Sequence, residues 1–422
     1  MTTIAYKFAA GVHMRSLRNF FFSALFVLGL GSILYFGIHQ GGGTIIFSPP
    51  QMLSALWSNY KKVYIQEPDG RTIDPGRNNQ TTSEGQSYTM LRAVWMGDKE
   101  TFDASWAWTR ETLWRNDHVF SWLFGERADG TYGVLSDEGG TTSASDADVD
   151  IALSLVFAYA RWQDPAYLSA ASSTIVGIWN ADVITIQGVP YLSADSLEKT
   201  STNEWAAINP SYLSPAAFRI FAAIDPAHPW MEVVDSSYVI LERSMSSALD
   251  KGTSTGLPPD WIRMHKKTGA IEALYTDNNT TDFGYNALRV PWRLALDWQW
   301  FHDSRDEALL KKFSFLSEQW KSKGSLAAIY THDGLTAENA DYESSAMYGG
   351  TIGYFMVADP VLAPIVYERK LESLFNPDNN TWQGYLSYYD DNWAWFGIAL
   401  YNHLLPNIAA TLPGLSMNHA GL

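Results

Sequence analysis

Apolar positions fall into three patterns along this chain. In the first, Phe20 to Ile38 (FFFSALFVLGLGSILYFGI) is apolar on every face and uncharged, with Lys7, Arg15 and Arg18 ahead of it. At a helical rise of ~1.5 Å per residue the stretch spans roughly 28 Å, about one hydrocarbon core. It exceeds an ordinary signal-peptide core and no A-x-A site follows, so it predicts an uncleaved signal anchor. The basic end would then be cytoplasmic and the remainder outside, periplasmic or extracellular; cleavage would instead give a secreted protein. His39 to Gly43 reads as a flexible linker. The layout expected is a basic N-terminus (1–19), an anchor (20–38), a linker (39–47) and one folded domain (48–422).

The second pattern is helical spacing, repeated from residue 48 onward and broken by loops rich in Gly, Pro, Asn and Asp. Helix starts are predicted near Pro50, Gly85, Lys99, Ala144, Pro165, Pro215, Pro229, Gly284, Asp303, Tyr342, Pro360 and Tyr388. The third is extended. ITIQGVPYL, from Ile184 to Leu192, alternates around a glycine and predicts a small hairpin, and Phe120 to Leu135 predicts another extended piece. No low-complexity linker or strict repeat divides the folded part. About a dozen helices in one undivided all-α domain fit either a closed double ring or a larger irregular bundle.

Composition narrows the ligand. With 29 basic and 45 acidic residues the net charge is -16, so nucleic acid is excluded as a partner and acidic polymers are disfavoured. The 18 Trp and 22 Tyr offer flat apolar faces with polar edges, which suit sugar rings, although most such residues pack helices together. The absence of cysteine removes disulfides, thiolate chemistry and cysteine-held metals. His13 and His118 have no partner spacing for a metal site, so no metal and no cofactor is expected.

Two acidic segments carry the candidate chemistry. Glu84 stands in Thr81-Thr82-Ser83-Glu84-Gly85-Gln86-Ser87-Tyr88, just ahead of the apolar positions Met90, Leu91, Ala93 and Val94. This places it in the first turn of a helix capped by Thr82 or Ser83. There it either serves the helix dipole or points an acid into a cleft. The second segment, ASDADVDIALSLVFAYARW from Ala144 to Trp162, sets three acids before an apolar helix. Capping, by Ser145 or Asp146, uses one residue, and three mutually repelling acids imply a further task. An EF-hand loop does not fit, for want of its glycine and terminal glutamate.

Together these segments resemble glycoside hydrolase family 8. The family pattern A-[ST]-D-[AG]-D, continued through an apolar run to a closing Trp, is matched from Ala144 to Trp162. Ile73-Asp74-Pro75, Asn209-Pro210-Ser211-Tyr212-Leu213, Pro259-Asp260-Trp261 and Tyr285-Asn286-Ala287-Leu288-Arg289 support it. The resemblance covers roughly residues 50 to 402 and is closest to the bacterial cellulase that accompanies cellulose synthase. It implies an (α/α)6 barrel of about twelve helices with small β-hairpin insertions, and inverting hydrolysis of β-1,4-linked glycans such as cellulose. The implied partners are a β-linked polysaccharide or oligosaccharide, the membrane through the N-terminal helix, and a polysaccharide synthase complex. Inversion needs a protonated acid and a carboxylate base ~6.5–9.5 Å apart, with water between. By resemblance Glu84 is the general acid, Asp146 binds and distorts the sugar, and Tyr212, Tyr285 and Arg289 line the same subsite.

The base departs from the pattern. The cellulase-like branch keeps an aspartate where this chain has Asn286, and an amide cannot take a proton from water at neutral pH. Lichenases and chitosanases of the family draw a base from a neighbouring loop. Here Asp282, one helical turn before Asn286 if a helix begins at Gly284, or Asp277 or Glu272, is the candidate replacement; Asp282 serves equally well as that helix's N-cap. The other accounts are a barrel that binds glycan without cleaving it efficiently, and a carboxylate replaced by an amide through engineering. Trp95, Trp106, Trp108, Trp114 and Trp122 are expected to be mostly core, and the Tyr388–Trp393 segment to rim the cleft or cap the last helix.

Overall fold

The computed structural model describes residues 47–274, 276 and 280–412. The chain divides into two units, 1–47 and 48–422. The expected anchor at 20–38 lies outside the described residues. No helix among those described is long and apolar enough to cross a membrane.

The second unit is mostly helical. Its helices are α1 (Pro49–Tyr64), α2 (Ser83–Met96), α3 (Lys99–Thr112), α4 (Ser145–Trp162), α5 (Pro165–Ala181), α6 (Ser196–Thr200), α7 (Pro215–Ile224) and α8 (Trp230–Ser246). They continue as α9 (Arg289–Phe301), α10 (Ser304–Leu310), α11 (Ser314–Lys323), α12 (Ser345–Ala358), α13 (Ala363–Lys370) and α14 (Tyr388–Tyr401). Most begin within three residues of the predicted starts, because Pro at the first turn and Asp or Ser ahead of it leave strong signals. One start differs. The helix expected at Gly284 begins at Arg289, and residues 285–288 form turns. α6 and α11 were not anticipated.

Burial sorts the helices into two sets. α2, α4, α7, α9, α12 and α14 pack in succession, α2 on α4, α4 on α7, α7 on α9, α9 on α12 and α12 on α14. Each also carries a flanking partner: α3 on α2, α5 on α4, α8 on α7, α10 on α9, α13 on α12 and α1 on α14. Contacts between α14 and α2 complete the circuit, with Tyr88 edge-on to Trp393 and Phe396 and Arg92 paired to Asp391 at 3.0 Å. Helices of the inner set are buried on nearly every face; every residue of α4 from Ser145 to Ala158 is buried. The flanking helix α1 instead buries one stripe, Met52, Leu53, Leu56, Trp57, Tyr60 and Tyr64.

Close packing of α12 depends on glycine. A Cβ at Gly349 would lie 1.9 Å from the Trp393 carbonyl oxygen, and one at Gly350 2.2 Å from that of Leu288. The run Gly349-Gly350 therefore lets α12 seat against α14 and the start of α9 at once.

The strands are short. β1 (Thr81–Thr82), β2 (Leu123–Glu126) and β3 (Tyr132–Val134) form one antiparallel sheet, and β2 and β3 lie where an extended piece was expected. β4 (Val183–Ile186) and β5 (Val189–Leu192) form the expected hairpin. Its two-residue turn takes Gln187 and Gly188 at φ 54° and 84°, the geometry that matches strand twist. β6 (Trp205–Ile208), β7 (Ile262–His265) and β8 (Ile271–Ala273) form a second antiparallel sheet in the order β8-β7-β6.

Candidate active site

At the start of α2, Thr82 is extended and its hydroxyl accepts a hydrogen bond from the Gly85 amide at 3.0 Å. The cap therefore comes from a hydroxyl, as the sequence suggested, and Glu84 is left to face a cleft. A cavity of about 150 Å³ beside it is lined by Asp74, Arg77, Thr82, Glu84, Tyr388 and Tyr389, among others.

Arg289, the first residue of α9, organises the cleft floor. Its side chain is 1% exposed, and one terminal nitrogen donates to Glu84 Oε2 and to Asp146 Oδ2, 2.6 Å in each case. The other donates to Asn286 Oδ1 at 2.9 Å. The guanidinium lies 5.2 Å from the centre of the Tyr212 ring. Four of the residues singled out in the sequence (Glu84, Asp146, Asn286 and Tyr212) thus meet on a fifth, Arg289.

The acids of α4 resolve into three separate tasks. Asp146 and Asp150, four residues apart, face Arg289 and Arg293, also four residues apart on α9. Asp150 takes two hydrogen bonds from Arg293, at 3.0 and 2.9 Å. Asp148 points elsewhere, accepting from the Phe120 amide at 3.0 Å, and burial with Asp182 nearby pushes its carboxyl well above the ordinary range. Two arginines and a separate buried site explain how three acids coexist in five positions. Neither Ser145 nor Asp146 caps α4. Ala144 holds the N-cap position, and the Ser145 hydroxyl donates to the Ser193 carbonyl at 2.6 Å.

The electrostatics of Glu84 suit an acid. Burial pushes its pKa up to about 7; Arg289 opposes the rise and Asp146 adds to it. About a quarter of the side chain (26%) remains accessible, so its proton can reach a bound molecule. Burial likewise raises the Tyr212 hydroxyl well above the ordinary tyrosine range, which keeps it neutral at physiological pH.

Asn286 is held in one orientation. Its Oδ1 accepts from Arg289 and, at 3.0 Å, from Asn209 Nδ2. Asn209 Oδ1 is itself held by the Ser211 amide and hydroxyl, so its NH2 must face Asn286. With both donors on its oxygen, Asn286 presents the rest of the site with N–H groups. Tyr285 lies one residue earlier. Its hydroxyl is 3.2 Å from that of Tyr342, and its carbonyl accepts from the Tyr389 hydroxyl.

Asp282 and Asn286 do not share a helix face as expected, because no helix spans them. Besides burial, the strongest influences on Asp282 come from Lys251, Asp250, Asp333 and His332. Nor does Asp282 cap the turn. The amides of Gly284, Asn286 and Ala287 instead donate to Asp260 Oδ1, at 3.2, 3.0 and 2.6 Å. Glu272, on β8, is ion-paired with Arg263 at 2.8 Å, and Asp277 lies outside the described residues.

Three further cleft residues went unassigned in the sequence. Tyr88 lies one helical turn after Glu84, a spacing that could have flagged it, and its hydroxyl is 3.5 Å from Arg289 Nη1. Asn209 and Tyr389 reach the site only through tertiary folding. Tyr389 belongs to the segment expected either to rim the cleft or to cap the last helix. In the structure the cap is Ser387, accepting from the Asp390 amide at 3.1 Å, while Tyr389 lines the cleft. Of the tryptophans, Trp95 packs with Phe157 and Phe396, and Trp106 with Trp114 and Phe120.

Helices in two concentric sets, with an acid, a second carboxylate and a bridging arginine on the cleft floor, define a class that sequence comparison makes specific. Residues 33–386 match glycosyl hydrolases family 8, and the chain belongs to that family. The Endoglucanase of Salmonella typhi is 28% identical over 352 residues, 80% of this chain and 86% of that protein. Endoglucanase 2 of Ruminiclostridium josui is 30% identical over 262 residues, 60% of this chain and about half (52%) of its own length. The fold matches that of an endo-1,4-D-glucanase from Vibrio fischeri ES114 with a TM-score of 0.68 at 24% identity, covering 82% of this chain and 94% of that one.

Proposed function

We propose that the chain is an inverting endo-β-1,4-glucanase whose six helix pairs close into an (α/α)6 barrel, with Glu84 as general acid. The observation that carries this reading is the Glu84–Arg289–Asp146 cluster. A carboxyl with a pKa of about 7 is protonated in useful amount near neutrality and donates readily to a leaving oxygen. Arg289 donates to Asp146 Oδ2 and fixes that side chain, so Asp146 accepts hydrogen bonds from sugar hydroxyls and holds the ring at the cleaved bond. Tyr212, neutral and stacked near Arg289, offers a hydroxyl to the same ring or to the attacking water. Glu84 gives its proton to the glycosidic oxygen as the C1–O bond breaks, and water attacks C1 from the opposite face.

Names of the relatives support a glucan as substrate, and the uncharged apolar stretch at 20–38 supports placement outside the cytoplasm on a membrane anchor, beside a polysaccharide synthase. Fractionation of the full chain, with protease added to intact cells, tests that placement. For the chemistry, the test is Glu84→Gln on carboxymethylcellulose and cello-oligosaccharides. Turnover should fall ~10²–10⁴-fold with KM little changed. Full activity in that variant refutes the assignment. A parent that binds these glucans but releases no reducing sugar would make the chain a glycan-binding member instead.

A further inference from the structure

We infer that Asp260 is the general base, taking through Oδ2 the proton of the water that attacks C1. The inference rests on the reading of the chain as an inverting hydrolase and fills the place that Asn286 leaves empty. Three observations carry it. First, Asn286 offers no acceptor to water, since its Oδ1 is occupied by Arg289 and Asn209. Second, Asp260 is fastened to the turn that holds Asn286. Its Oδ1 takes the amides of Gly284, Asn286 and Ala287, so the carboxylate moves with that segment. Third, Oδ2 has no hydrogen-bond partner among the described residues, and Asp260 is only half-buried. The space beside it is kept by Gly284, where a Cβ would fall 2.7 Å from Oδ2.

A capping aspartate would satisfy the first half of this description and not the second. Three amide donors on one carboxylate oxygen ordinarily hold the group strongly acidic. Here burial outweighs them and the pKa stands at about 7, lowered only in part by those amides and by Arg289. Such a carboxylate retains affinity for a proton and is half ionised near neutrality, as a base requires. Asp260 also acts on the Tyr389 hydroxyl together with Arg289, Glu84 and Asp146, which ties it electrostatically to the cleft.

The step balances without a further reactant. Water forms the new C1–O bond and loses one proton to Asp260. The glycosidic C1–O bond breaks and its oxygen takes the proton of Glu84. The product leaves with inverted configuration, and the two carboxyls re-equilibrate through solvent.

The test is Asp260→Asn in the full chain, alone and combined with Asn286→Asp. Asparagine keeps an oxygen for the three amides, so the turn retains its cap, but Nδ2 cannot accept a proton. On a soluble β-1,4-glucan, kcat should fall ~10²–10⁴-fold with KM within a few-fold of the parent, and the acidic limb of kcat/KM near pH ~7 should vanish. In the double variant a carboxylate at 286, with Asn209 and Arg289 already placed to donate to it, should recover at least ~10-fold of the lost rate. A purely structural role would give neither the lost limb nor the recovery. An Asp260→Asn variant within about threefold of the parent rate overturns the inference. So does a folded double variant as inactive as the single one, or an equal loss of rate in Asp282→Asn with Asp260→Asn unaffected. A parent that hydrolyses no β-glucan overturns the functional reading itself, and the inference with it.

Discussion

Replacing Arg289 by methionine keeps an unbranched stem beside Tyr212 but removes the cation bonded to both Glu84 and Asp146. For unit charges ~4 Å apart at an effective dielectric of ~20, the interaction is about 4 kcal/mol. Glu84 keeps 26% of its side chain accessible, so screening lowers its share to about 1–3 kcal/mol, or roughly one to two pKa units. Its pKa should therefore climb from about 7 toward the range near ~8–9. The readout is the alkaline limb of kcat/KM, which reports the acid in the free enzyme and should shift upward by that amount even as the maximal rate falls. Stability gives an independent check. Glu84 has a folded pKa above its unfolded value, so its contribution is present below the ordinary glutamate range and is lost as pH rises through about 7 in the parent. In Arg289→Met that loss should move to higher pH. Asp146, buried and left without its partner, should add a further cost of about 3–5 kcal/mol, measured by urea unfolding at about pH 6 and about pH 9. A folded variant whose alkaline limb stays in place, or moves down, would refute the claim that Arg289 sets the proton affinity of Glu84.

Three other perturbations separate catalysis from scaffold. Asn286→Asp alone should be accommodated, since Arg289 and Asn209 donate to either group. The new carboxylate, lowered by Arg289, should extend the acidic limb of the pH profile to lower pH without loss of maximal rate. Arg293→Met breaks the buried pair with Asp150 and should cost about 3–5 kcal/mol in urea unfolding, with the pH profile of activity unmoved. Gly349→Ala puts a methyl group 1.9 Å from the Trp393 carbonyl oxygen and should destabilise by at least about 1–3 kcal/mol in the same assay.

Much of the helical framework was readable because its signals are local. Pro165, Pro215 and the Asp or Ser residues ahead of several helices mark starts, and the Gln187–Gly188 turn marks a hairpin. What misled was the segment from Asp282 to Arg289. Its composition permits a helix, but the amides of Gly284, Asn286 and Ala287 bond to Asp260, more than twenty residues earlier in the chain, and the helix waits until Arg289. Local pattern cannot register a cap supplied from another part of the chain. The same limit hid Asn209 and Tyr389, which meet the cleft through tertiary contacts, while Glu84 and Asp146 stood out because each sits in the first turn of a buried helix. The three acids of α4 were legible as an anomaly. Their resolution required seeing that Arg289 and Arg293 repeat the spacing of Asp146 and Asp150.

The proposed mechanism is a single displacement driven by two carboxyls on opposite sides of the sugar. Proton NMR of cello-oligosaccharide hydrolysis, recorded from the first seconds of turnover, tests it most directly. Under single displacement the new reducing end appears first as the α anomer and then mutarotates toward equilibrium. Initial release of the β anomer would mean a covalent intermediate and retention, and would contradict it.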